Sequence, residues 1–167
     1  MWNKTSVSEF QWYNKTNEVE KITITGTINV GDNAFNGMVN LESITMHNAM
    51  TSIGTNAFKG CNKLTTITLP TNLIEIKSNA FDGCNGITTL DIPNKVITLE
   101  SKAITNMGKL TTVSFPISVE SKNTDVFTGC TKLTKVIITA LETGSGEMRE
   151  YPETGIESFQ TIKEKIN

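Results

Sequence analysis

The chain has little of what most function classes need. Its 167 residues include one histidine, His47, only three cysteines, four prolines and two tryptophans. A single imidazole with no second ligand makes a poor metal site and a poor catalyst, so His47 reads as an exposed shoulder residue. The 15 basic and 17 acidic residues leave a formal net charge of -2. That balance builds no basic footprint, so neither nucleic acid nor anionic lipid is an expected partner. No apolar run approaches the roughly 20 residues needed to cross a bilayer, and membrane insertion is not expected. The first 20 residues also lack a basic stretch followed by an apolar one, which leaves no visible signal peptide. Paired carboxylates and a phosphate-binding glycine loop are missing too: Gly37, Gly60 and Gly83 stand 23 residues apart, each serving its own segment. The expectation is a protein that is not an enzyme and holds no metal or cofactor.

What the chain does have is a period. Ala34-Phe35 recurs as Ala57-Phe58, Ala80-Phe81, Ala103-Ile104 and Val126-Phe127, always after 23 residues. A fixed repeat of this length marks a solenoid, because no single unit can bury its apolar face alone. From Val19 onward each unit opens apolar, two polar, apolar, one polar, apolar, as in Leu64/Ile67/Leu69 and Leu110/Val113/Phe115. Such segments alternate faces with period two, so they predict strands stacked in one direction as a parallel sheet. Pro70, Pro93 and Pro116 follow three of them, with His47 in the same slot, and should end the ladder and turn the chain.

A second apolar pair follows the turn: Met50/Ile53, Leu73/Ile76 and Val96/Leu99. The fifth unit is the least regular, with Lys122 in the second slot. Asn33, Asn56 and Asn79 stand before Ala-Phe, where they suit the start of a short helical turn opposite the sheet. Gly37, Gly60, Gly83 and Gly129, with Asn106 in the fourth unit, suit left-handed geometry. Cys61, Cys84 and Cys130 share a slot with Met38 and Met107, which reads as apolar packing. A spacing of about 4.8 Å between coils also keeps a Cys61–Cys84 disulfide open as an alternative.

The ends depart from the period. Residues 1–18 hold four of the eleven aromatics, Trp2, Phe10, Trp12 and Tyr13. Phe10 and Trp12 alternate with polar neighbours, which predicts a hairpin capping the stack, with a sugar-stacking platform as the alternative. Beyond Ile138, Thr143-Gly144-Ser145-Gly146 reads as a loop, and Tyr151-Pro152 as a further break. The final segment fits a sixth strand through Ile156 and Phe159 or a helix begun by a Thr154/Glu157 capping box, and either caps the stack. The chain is thus one domain over residues 1–167: a cap and first strand (1–26), repeats (27–140), and a loop with a cap (141–167).

The unit Leu64-x-x-Ile67-x-Leu69-Pro70-x-x-Leu73-x-x-Ile76-x-x-Asn79-Ala80-Phe81-x-Gly83-Cys84 resembles the BspA-like, or treponemal-type, leucine-rich repeat. The likeness runs from about Val19 to Ala140, and the fourth unit departs most, at Ala103-Ile104, Asn106 and Met107. It implies an α/β repeat solenoid, a right-handed coil with a parallel β-sheet on one face, short helical turns opposite and an N-terminal hairpin. It also implies a cell-surface or secreted protein that attaches to protein or glycan on host matrix or cells. The lack of a visible leader keeps an intracellular scaffold as an alternative, and a structural spacer with no ligand is the other.

Function on a solenoid is carried by an exposed face with one residue per coil. The outward strand positions form two columns, Lys21, Ser43, Thr66, Thr89, Thr112, Lys135 and Thr23, Thr45, Thr68, Asp91, Ser114, Ile137. Threonine and serine there suit a soluble strand, and they equally suit a flat, hydrogen-bonding platform. The candidate ligand-binding residues are therefore Ser43, Thr45, Thr66, Thr68, Thr89, Asp91, Thr112, Ser114 and Lys135. Ile137 departs from its column, which suggests that a cap or a partner covers that end.

Overall fold

The computed structural model describes residues 15–119 and 125–139, together with the backbone of 149–152. The first strand of the expected N-terminal hairpin, with Phe10 and Trp12, the irregular Lys122 and the expected terminal cap with Thr154, Ile156, Glu157 and Phe159 lie outside the described residues.

Short strands form wherever β-branched residues alternate with polar ones. In chain order they are β1 (Lys21–Thr23), β2 (Ser43–Thr45), β3 (Ser52–Ile53), β4 (Thr66–Ile67), β5 (Glu75–Ile76), β6 (Thr89–Asp91), β7 (Thr98–Leu99), β8 (Thr112–Pro116), β9 (Lys135–Thr139) and β10 (Arg149–Pro152). The parallel pairings follow the period: Ser43 opposes Thr66, Thr89 opposes Thr112, and Thr112 opposes Lys135. One side of the coil therefore carries β1-β2-β4 and then β6-β8-β9, as two sheets rather than one. The second apolar pairs, to which the sequence pattern assigns no element, lead into a further parallel sheet, β3-β5-β7, with Ile53, Ile76 and Leu99 buried beneath it. Pro70, Pro93 and Pro116 each accept a turn hydrogen bond on the carbonyl, from Leu73, Val96 and Val119 at 3.0 Å, and His47 does the same for Met50 at 3.1 Å. β4 and β6 stop before Pro70 and Pro93, which have no N–H to donate, but the expected stop fails at Pro116, which closes β8 opposite Thr139 while Ile117 N donates to Thr139 O at 2.9 Å.

The third side corrects an expectation. No helical turn lies opposite the sheet among the described residues. Asn33, Asn56, Asn79 and Lys102 sit at φ of 57°, 55°, 56° and 57°, and Gly37, Gly60 and Gly83 at 75°, 73° and 76°. Left-handed residues four apart leave room for single three-residue turn bonds, such as Asn36 N to Asn33 O at 3.2 Å, but not for a helical run. The free N–H groups bond to the next coil instead: Asn33 N to Thr55 O at 2.8 Å, Phe35 N to Ala57 O at 2.8 Å, and Gly37 N to Lys59 O at 2.8 Å. Asparagine is selected here for its tolerance of positive φ, and its side chain ties coils, as Asn56 Nδ2 donates to Asn33 Oδ1 at 3.1 Å. Asn106, at φ 53°, fills the glycine slot of its coil as expected.

Three ladders thus enclose a continuous apolar core. Leu41, Ile53, Leu64, Leu73, Ile76 and Ile87 have no exposed surface. Phe35, Phe58 and Phe81 stack face to face, with centroids 5.3 and 5.4 Å apart. At the far end β10 pairs antiparallel with β9, placing Glu150 opposite Ile137 and Pro152 opposite Lys135. Tyr151-Pro152, expected as a break, is strand. The strand shields an edge that would otherwise invite pairing with another chain, and Pro152 is tolerated because it closes an edge strand.

Candidate functional site

The candidate residues occupy the outer surface of the side that carries β2, β4, β6, β8 and β9. Thr45, Thr66, Thr68, Thr89 and Asp91 are exposed, and Ser43, Thr112, Ser114 and Lys135 are half-buried. Each flanks an inward residue of the core, such as Ile44, Leu90, Val113 or Val136. The period-two alternation of the strands is what turns them outward. Parallel pairing brings Ser43 beside Thr66, and Thr89 beside Thr112 and then Lys135. It does not join Thr66 to Thr89 or Thr68 to Asp91, because no pairing links β4 with β6.

Asp91 has a partner in the next coil, the Ser114 hydroxyl, which donates to its Oδ1 at 2.7 Å. A third column, Glu42, Thr65, Thr88, Thr111 and Thr134, borders the face and is exposed throughout. It was legible as the first of the two polar residues between Leu and Ile in each unit. Two of its hydroxyls are engaged, Thr65 Oγ1 donating to Glu42 O at 3.3 Å and Thr111 Oγ1 to Thr88 O at 3.0 Å. The face is an array of short donors and acceptors with little charge, divided between two sheets. Around the corner, Ile74 and Ile97 are 42% and 49% exposed, and they form one column with Thr51.

The cysteines sit on the core side. Among the described residues no cluster of three His, Cys, Asp or Glu could hold a metal ion. All three thiols are free and buried, so the alternative Cys61–Cys84 disulfide is not made. Each donates to a carbonyl of the preceding coil: Cys61 to Phe35 O at 3.1 Å, Cys84 to Phe58 O at 3.0 Å, and Cys130 to Ile104 O at 3.2 Å. Burial pushes the Cys61 thiol up to about 12 from an ordinary 9.0, and raises Cys84 and Cys130 as well. An unfolded thiol ionises near 9.0 while the folded Cys61 stays protonated to about 12, so over that range the folded state binds more protons. The stabilisation is full below the lower value and is lost as pH rises toward the upper one. Urea unfolding at about pH 7 and about pH 10.5 is expected to show a lower midpoint at the alkaline value. Replacing Cys61 and Cys84 by alanine should shrink that drop, and an undiminished drop would place its origin elsewhere.

Asp82 plays the corresponding part for the carboxylates. Burial raises its carboxyl, but hydrogen bonds from Asn106, Lys59 and Thr105 and the Lys59 charge outweigh that and hold it below its ordinary 3.8. Lys59 Nζ lies 3.1 Å from Asp82 Oδ2, and Asn106 Nδ2 donates to Oδ1 at 2.7 Å. This is an inter-coil tie whose contribution is present above the ordinary value and is lost as pH falls below it.

The profile of the BspA type leucine rich repeat region matches residues 5–143 in six copies. Among solved structures, the chain is similar to a leucine-rich repeat protein of T. pallidum, at 28% identity and a TM-score of 0.63, covering 70% of this chain and 57% of that one. A leucine-rich repeat protein from Bacteroides ovatus shares 33% identity at a TM-score of 0.68, over 72% of this chain and 31% of its own. A leucine-rich cell surface protein from Faecalibacterium prausnitzii shares 26% identity at a TM-score of 0.65, over 77% and 33% respectively. The chain therefore spans between about a third and just over half of these proteins. No curated protein sequence matches it significantly.

Proposed function

The chain belongs to the BspA-type leucine-rich repeat family, and from that premise we propose that it is a non-enzymatic binding or adhesion module displayed at a cell surface. The ligand is protein or glycan, held by the hydroxyl columns Ser43, Thr45, Thr66, Thr68, Thr89, Asp91, Thr112, Ser114 and Lys135. The observation that carries this reading is the outward array itself. Most of its members are hydroxyls, and the residues that alternate with them face the core, buried at Ile44, Leu90, Val113 and Val136 and half-buried at Ile67. Cell-surface placement draws support from the F. prausnitzii relative, which is described as a cell surface protein, and no helix among the described residues is long and apolar enough to cross a membrane.

The mechanism is geometric. Backbone ladders hold the array in place within each of its two sheets before a ligand arrives, so little conformational entropy is lost on contact with either block. Individual contacts are weak, and display of many copies raises the effective affinity. The test is a panel of immobilised matrix proteins and surface glycans probed with the purified chain. Saturable binding to one class is expected. A chain that binds none of them, singly or as a multimer, is a spacer.

A further inference from the structure

We propose that the solenoid is two rigid sheet blocks joined by a hinge between β4 and β6, which lets the sheet side open while the other two sides stay fastened. The inference does not depend on the adhesion reading. It rests on a bonding pattern that recurs, among the described residues, at every coil interval of this side except one.

At each regular interval one carbonyl accepts from two successive amides of the following coil. Glu20 O accepts from Glu42 and Ser43 at 2.7 and 3.2 Å, and Glu42 O from Thr65 and Thr66 at 3.0 and 3.3 Å. Thr88 O accepts from Thr111 and Thr112 at 2.8 and 3.3 Å, and Thr111 O from Thr134 and Lys135 at 3.1 and 3.0 Å. The missing member is Thr65 O, to which neither Thr88 nor Thr89 donates. β4 and β6 accordingly end two separate sheets.

The same pair of coils is fastened on its other two sides. Glu75 and Ile76 of β5 pair with Thr98 and Leu99 of β7. On the turn side Phe81 N donates to Ala103 O at 2.9 Å and Gly83 N to Thr105 O at 3.0 Å. The break is therefore local to one of three sides. Just ahead of it the two coils run close together at Gly86, where an added Cβ would stand 2.4 Å from Leu64 O and 2.8 Å from Leu64 C. A tight point beside an unbonded span, with two bonded ladders behind, is the geometry of a pivot. Opening there changes the distance between Thr66 and Thr68 on one block and Thr89 and Asp91 on the other, so it changes the curvature of the outer face.

Hydrogen exchange on the unmodified chain tests the first half of the proposal. The Thr88 amide is expected to exchange at least ~100-fold faster than those of Thr65, Thr111 and Thr134, which occupy the same slot in bonded coils. Equal protection of Thr88 overturns the proposal. Spin labels test the hinge itself, because Ser43→Cys with Thr89→Cys and Thr89→Cys with Lys135→Cys each span two coil intervals, but only the first pair crosses the break. The three native thiols are buried and should not take the label. A longer and broader distance distribution for the first pair is expected. Equal widths and means for the two pairs overturn the hinge whatever the exchange shows.

Discussion

Phe58→Ala is expected to destabilise the fold by about 3–5 kcal/mol, the range of large aromatic truncations in a close-packed core. The ring has no exposed surface and is stacked against Phe35 on one face and Phe81 on the other, so truncation opens a cavity bounded by two other rings. Each aromatic pair contributes about 0.5–1.5 kcal/mol beyond the area it buries, and two such pairs are lost at once. The inter-coil ladders cannot collapse to fill the space, because Phe58 N is fixed to Ala80 O at 2.8 Å. Solenoid stability depends on nearest-neighbour coupling, so the unfolding transition should also broaden as the coils on either side separate. Denaturant unfolding followed by circular dichroism measures both effects. A loss below about 1 kcal/mol, the scale of an ordinary surface change, would mean that the ring stack does not organise the core.

Gly54→Ala should cost roughly 1–3 kcal/mol or more, whereas Gly31→Ala, at the same position one coil earlier, should be near neutral. A Cβ on Gly54 would meet Asp32 N and Gly31 C at 2.5 Å and Asp32 Oδ1 at 2.6 Å, and a Cβ on Gly31 meets nothing within 4 Å. Two of the three obstacles are backbone atoms, held there because Gly54 N donates to Val30 O at 2.8 Å and Thr55 N donates to Asp32 Oδ1 at 2.7 Å. Relief would require separating the first coil from the second. The two variants compared by thermal melting decide the matter, and equal melting points would show that the first coil moves aside without resistance.

The inward skeleton of this molecule was legible because its chemistry is periodic and one-sided. Leu64, Ile67 and Leu69 could face only one way in a strand, and the 23-residue spacing set them beside Leu41, Ile44 and Met46 without any need of a structure. The outward columns followed from the same alternation, and the register of Ser43 with Thr66 and of Thr112 with Lys135 agrees with it. The third side was misread because asparagine suits both the start of a helix and a left-handed residue, and Asn56 alone does not say which. Its φ of 55° does. The second sheet was unread for a different reason: two-residue strands such as Glu75–Ile76 are too short to show alternation. Arg149–Pro152 carries a proline that argues against strand in a central position and is harmless at an edge, a distinction that only pairing reveals. The break at Thr65 and Thr88 was not legible in the apolar pattern, which is the same as in the bonded coils, and its one trace is Gly86, in the slot that holds Lys63, Lys109 and Lys132.

The central claim is that the buried positions of the repeat hold the coil and the hydroxyl columns between them meet the ligand. Its most direct measurement compares two surface variants for binding to whichever immobilised matrix protein or glycan captures the parent chain, with thermal melting to establish that both are folded. Replacing Thr66, Thr68, Thr89 and Thr112 together by arginine should weaken binding at least ~10-fold, a loss of about 1.4 kcal/mol. Replacing the exposed Ile74 and Ile97 by arginine, around the corner of the same coils, should leave it unchanged. Undiminished binding by the first variant, or a loss confined to the second, contradicts the account.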